Sequence, residues 1–200
     1  MEFWLNEIMN EYGYVGIMFL MAVENIFPPI PSELILTFGG FMTTKSTLSI
    51  LGVVISATVG SVVGAIVLYI IGLQLDVEKL EKIVDRWGNI LHITRNDIHK
   101  ADAWFDKYGP WTVFFCRFVP LIRSLISVPA GMSSMNAGIF LIFTTLGTLI
   151  WNSVLVYLGA TLGDSWEVIV EYMEIYSRVI YAVLFLLVIV LLFIFVRKRR

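Results

Sequence analysis

Cysteine, histidine and charge are all scarce in this 200-residue chain. A single cysteine, Cys116, excludes an internal disulfide framework. With only two histidines, His92 and His99, the composition also argues against a zinc site of the usual ligand types, and no metal is expected. Asp, Glu, Lys and Arg make up 15% of the residues against 58% hydrophobic. A soluble domain carries about a quarter charged residues, so the balance argues against an ordinary soluble enzyme and for lipid as the solvent. Basic clusters are missing except at Arg197-Lys198-Arg199-Arg200, so no face for nucleic acid is expected. The start carries Glu2, Glu7 and Glu11 but no base, which argues against a cleavable signal peptide. Fourteen Phe, eight Tyr and six Trp exclude a disordered chain.

Uncharged runs supply the organisation. Ser46 to Leu75, Ser124 to Gly163 and Val179 to Val196 contain no Asp, Glu, Lys or Arg. A spanning helix needs about 20 apolar residues, so all three are candidates. The middle run is roughly twice too long for one span, and Pro129, Gly131 and Gly138 mark a break. A span from about Asn136 to Ala160, preceded by a separate arm, is the expectation. Tyr12 to Val23, Leu34 to Thr44 and Trp111 to Pro129 are too short or too interrupted to span. Irregular backbone at membrane depth survives only when buried in protein or lining a wet cavity, so these pieces read as re-entrant hairpins.

Phe3, Trp4, Leu5, Ile8, Met9 and Tyr12 share a helical face opposite Glu2, Asn6, Glu7 and Asn10, the pattern of an interfacial helix. The charged segment Asp76 to Lys107 reads as two amphipathic helices. The first carries Val77, Leu80, Ile83, Val84 and Trp87 and ends at Gly88; the second opens at Thr94-Arg95-Asn96-Asp97 and stops at Gly109-Pro110. Basic residues set the orientation. The Arg197–Arg200 tail and the 76–107 segment belong in the cytoplasm, and the acidic stretch with Asp164, Glu167, Glu171 and Glu174 outside. Five units follow: 1–75, a first repeat with its interfacial helix; 76–109, cytoplasmic amphipathic helices; 110–163, a second repeat; 164–178, an external acidic loop; 179–200, a C-terminal span and basic tail.

The two halves repeat one order of features. Tyr12-Gly13, Glu24, Pro28, Pro29, Pro31 and Gly39-Gly40 precede a span that closes with Tyr69 and Gly72. Tyr108-Gly109, Arg117, Pro120 and Pro129-Ala130-Gly131 precede one that closes with Tyr157 and Gly159. The expected fold is an all-α polytopic membrane protein of two inverted repeats. Each is a Pro-broken re-entrant helical hairpin plus a transmembrane helix, joined by amphipathic interfacial helices and followed by a C-terminal transmembrane helix. Such repeats place a site near the midplane where broken helices meet.

Glu24, Glu33, Arg117 and Arg123 are the charged residues of the hairpins. A charge at a helix centre costs about 2.5–3.5 kcal/mol, so four need pairing, water or a ligand. Pro28, Pro29 and Pro31 forbid a continuous helix between the two acids, which suits a proton or cation there. Arg117 and Arg123 would lie about 120° apart on a regular helix. Pro120 can break that helix and let both guanidiniums converge on a phosphate. The competing reading is mutual neutralisation of acids and arginines across the repeat interface. Gly52, Ser56, Gly60 and Gly64 form a small-residue stripe for internal packing, and Cys116 is a packing residue. Trp151 and Asn152 either line the cavity or make an ordinary helix contact.

The runs Glu24-Asn25-Ile26-Phe27-Pro28-Pro29-Ile30-Pro31-Ser32-Glu33, Gly39-Gly40, Phe115-Cys116-Arg117-Phe118-Val119-Pro120-Leu121-Ile122-Arg123 and Pro129-Ala130-Gly131-Met132-Ser133 resemble the DedA family of bacterial inner-membrane proteins. The likeness covers about residues 12 to 160. It implies lipid transport: return of undecaprenyl phosphate from the outer to the inner leaflet, or movement of phosphatidylethanolamine. It maps the family's functional acids onto Glu24 and Glu33 and its arginines onto Arg117 and Arg123. The expected partners are therefore a polyprenyl phosphate or phospholipid, membrane lipid, and a proton or cation, with no cofactor and the oligomeric state open. An ion-coupled small-solute transporter would use the same residues. A membrane enzyme would need a nucleophile and base at depth, which the sequence does not offer.

Overall fold

A computed structural model describes residues 2–27, 32–75, 95–120, 122–165 and 167–198. Pro28, Pro29, Pro31, the amphipathic helix expected over Val77–Gly88, the Thr94 cap, Arg199 and Arg200 lie outside the described residues. So do the side chains of the expected interfacial face at Phe3, Trp4 and Leu5.

Among the described residues every regular element is helical. In chain order they are α1 (Glu2–Ile26), α2 (Ser32–Lys45), α3 (Ile50–Gln74), α4 (Arg95–Cys116), α5 (Ile122–Leu125), α6 (Ser127–Met132), α7 (Ala137–Leu162) and α8 (Glu167–Lys198). The helices α3 and α7 are long and apolar enough to cross a bilayer. Ser49 caps α3 by accepting from the Gly52 amide, and Asn136 caps α7 by accepting from those of Gly138 and Ile139. Both spans thus start within a few residues of where the uncharged runs placed them. The third uncharged run lies within α8.

Gly13 breaks α1 at φ 53°, ψ −125°, a conformation that glycine adopts without a side-chain penalty. Beyond the kink α1 runs alongside α3 in the same direction. The Tyr14 hydroxyl accepts from the Ser49 amide at 2.8 Å. Further along, the carbonyls of Met18 and Ala22 meet Gly60 and Gly64. The small-residue stripe therefore packs inside the molecule. The return arm α2 ends at Lys45, four residues before the α3 cap, so both ends of the 14–45 segment meet at the start of α3.

The two spans run antiparallel. Tyr69, late in α3, stacks on Phe140, early in α7, with ring centroids 4.6 Å apart. At the other end of the seam Asn152 donates to Thr58 at 3.2 Å. The short arms cross between halves. A Cβ on Gly40 of α2 would lie 2.1 Å from the Val156 carbonyl of α7, and one on Gly159 of α7 2.1 Å from the Thr37 carbonyl of α2. The same exchange recurs at the other pole. A Cβ on Gly131 of α6 would lie 2.1 Å from the Tyr69 carbonyl of α3, and one on Gly72 of α3 2.3 Å from the Val128 carbonyl of α6. Each short arm is clasped by the span of the opposite half.

Two expectations are corrected. Gly109-Pro110 does not end a helix: α4 runs through it to Cys116. Proline there forfeits one backbone bond, while Val113 beyond it is fully buried and the Phe105 ring fills the space a Gly109 side chain would take. The boundary between 76–109 and 110–163 therefore falls inside one helix. Pro129 sits in the first turn of α6, where its missing N–H costs nothing. The break falls around Ser134 with φ 51°, inside the 129–138 stretch where the sequence expects it, and α7 starts at the Asn136 cap. Pro120 does stand at the turn between α4 and α5, as expected. The acidic stretch is largely helical, because α8 starts at Glu167 and carries an exposed Glu174–Arg178 pair.

Both spans carry an apolar outer face and bury polar side chains among their apolar ones. Leu51, Ile55, Val59, Val63 and Ile70 of α3 and Ile142, Leu146, Ile150 and Val154 of α7 are exposed. Thr58, Ser61, Thr144, Thr148 and Asn152 of the same helices are buried. An apolar outside around a polar seam suits hydrocarbon as the surrounding medium.

Candidate functional site

The site is assembled from the ends of the broken arms. Glu24 and Asn25 stand in the last turn of α1, and Glu33 in the first turn of α2, where the helix N-terminus favours a carboxylate. Arg117 follows the last residue of α4, and Arg123 is the second residue of α5. All five side chains are buried.

Arg123 donates from Nη2 to Glu24 Oε2 at 2.8 Å. The pair joins the first half to the second across the molecule. Arg117 is held differently. Its Nη2 donates to Ser127 Oγ and to Thr144 Oγ1, both at 3.0 Å. Its stem lies on Gly147, and its Cζ is 6.0 Å from the centre of the Phe140 ring, within cation–π range. Neutral hydroxyls fix its orientation but leave its charge uncompensated by direct contact. Arg117 Nε and Nη1 have no hydrogen-bond partner, nor has Glu33 Oε1. Glu24 lies within electrostatic range of Arg123, Glu33 and Arg117. The structure thus brings the four charged residues together, with one close pair and two groups holding unused capacity.

The two arginines do not face one ligand symmetrically, because Glu24 already occupies one. Sequence reasoning missed the hydroxyls that hold the other. Thr144, Thr148 and Asn152 recur every fourth residue along one face of α7, a spacing that could have pointed to Thr144, whereas Ser127 on α6 carries no such signal. Trp151 and Asn152 are both buried, and Asn152 faces α3 through its bond to Thr58. Cys116 is a free, half-buried thiol.

Comparison with known proteins places this geometry in context. Residues 30–161 match the model of the VTT domain. An alkaline phosphatase-like protein of Lactococcus lactis subsp. lactis is 58% identical over 96% of this chain and 91% of its own. Undecaprenyl phosphate transporter A of Staphylococcus aureus is 41% identical over 100% of this chain and 98% of its own. The transporter of the same name in Bacillus subtilis is 33% identical over 96% and 91%. No solved structure matches the chain.

Proposed function

The chain belongs to the VTT-domain (DedA) family, and from that footing we propose that it carries undecaprenyl phosphate from the outer to the inner leaflet of the bacterial cytoplasmic membrane. The observation that carries this reading is Arg117, buried at the junction of the two halves with unused N–H donors beside the Glu24–Arg123 pair. A phosphate entering the cluster meets Arg117 first. Proton or cation uptake at Glu24 or Glu33 then offsets the added negative charge. Neutralising Glu24 also frees Arg123 to join the headgroup, and losing that proton restores the pair and expels the anion. The isoprenoid tail stays in lipid throughout.

The reciprocal glycine clasps support an inverted-repeat architecture of two re-entrant arms. In that reading the arms before each span rock against the opposite span, and the site lies where they meet. The basic tail and the 76–107 segment face the cytoplasm.

A leaflet-resolved assay of undecaprenyl phosphate with the purified chain in vesicles tests the proposal. Arg117→Ala with Arg123→Ala is expected to abolish transport, and an inward proton gradient to accelerate the wild type. Unchanged transport by the double variant would refute the site. Phosphate release from the same vesicles tests the hydrolytic reading that the name of the lactococcal relative raises; none is expected.

A further inference from the structure

Resting on the reading of Arg117 as the headgroup arginine, we infer that Ser61, Ser124, Ser127, Thr144 and Thr148 form a hydroxyl collar that recognises a phosphate monoester. All five side chains are buried. Several other hydroxyls of the molecule return their hydrogen to the preceding turn. Thr37 donates to the Glu33 carbonyl at 2.6 Å, and Ser153 to that of Leu149 at 2.7 Å. The collar does not behave this way. Ser61 Oγ, Ser124 Oγ and Thr148 Oγ1 have no partner at all. Ser127 and Thr144 accept from Arg117, so each keeps its own O–H to donate. A buried hydroxyl without a partner is costly, and three of them on the segments that neighbour the Arg117 contacts point to a ligand.

Placement agrees. Thr144 and Thr148 are one turn apart on α7, with the Arg117 stem lying on Gly147 between them. The antiparallel register set by Tyr69–Phe140 and Thr58–Asn152 puts Ser61 opposite Thr148. Ser124 stands three residues before Ser127, which touches Arg117. Arg117 Nε and Nη1 add further N–H donors to the same locale. A terminal phosphate offers three strong acceptor oxygens, and a diester one fewer, shielded by a second substituent. A set this rich in donors favours the monoester, whose extra oxygen can take up one more of them.

The test uses the full chain in detergent, followed by tryptophan fluorescence titration and thermal unfolding. The probes are geranyl phosphate, inorganic phosphate and dihexanoyl-phosphatidylglycerol. Geranyl phosphate is expected to bind about ten-fold or more tightly than the diester. The triple variant Ser61→Ala, Ser124→Ala, Thr148→Val should weaken geranyl phosphate binding about ten- to hundred-fold while barely changing the diester. Its ligand-free unfolding midpoint should not fall, because no internal bond is lost. Thr148→Val alone should weaken binding, and Thr148→Ser should retain it, so the pair carries the test if the triple variant does not fold. Wild-type affinity in the triple variant, with loss in Arg117→Gln, would overturn the collar and leave the headgroup reading standing. Wild-type affinity in both would overturn the two together. Inorganic phosphate competing as strongly as geranyl phosphate would make this a free-phosphate site and sink the lipid assignment.

Discussion

Glu24 and Arg123 hold a bond that neither can lose alone. Removing one partner of a buried pair leaves the other charge uncompensated, at a cost of about 3–5 kcal/mol. Glu24→Gln and Arg123→Gln should each lower the unfolding midpoint in micelles sharply. The double variant should recover much of the loss, and a double-mutant cycle measures the coupling. The hold on Arg117 predicts a different pattern. Thr144→Val removes one of two acceptors from Nη2 and frees the head to rotate. Transport should drop several-fold with little change in stability, read as vesicle transport against unfolding midpoint. Arg117→Lys should fail to replace it, because an ammonium cannot meet Ser127, Thr144 and a phosphate in one planar arrangement.

At the level of helices, closeness is set by glycine. An alanine at 159 would press its methyl into the Thr37 carbonyl, and one at 131 into the Tyr69 carbonyl. Gly159→Ala and Gly131→Ala should each cost about 1–3 kcal/mol. Gly138→Ala meets only the Asn136 side-chain oxygen, at 3.2 Å, and serves as the mild comparison in the same unfolding measurement. Asn136→Ala should cost about 1 kcal/mol through the lost cap. The spans were legible because long stretches without charge have few uses outside lipid. The four site charges were legible because each stood out against an apolar background. The course of α4 was not, since Gly109-Pro110 looks locally like a stop and only the packing of Val113 and Phe105 carries the helix onward. The collar escaped notice for a related reason. Serine and threonine are ordinary in apolar helices, and only tertiary contact separates a hydroxyl that returns to its own helix from one that does not.

Among the described residues, the two spans turn an apolar face outward and bury hydroxyls and an amide on the faces they turn inward. That arrangement makes orientation a property of the flanking charges. A reporter fused after Arg200 should be accessible from the cytoplasm and protected from outside, and replacing Arg197, Lys198, Arg199 and Arg200 with Gln should blur that preference. The clasp between halves also fixes an order of events during biogenesis. The chief partner of α2 is α7, and the counter-charge of Glu24 is Arg123, so both are translated long after the segment that needs them. The nascent first half must therefore wait in the bilayer with its acid uncovered and its arm undocked. A chain terminated after α3 would stay an open intermediate, exposed to the quality-control proteases of the membrane.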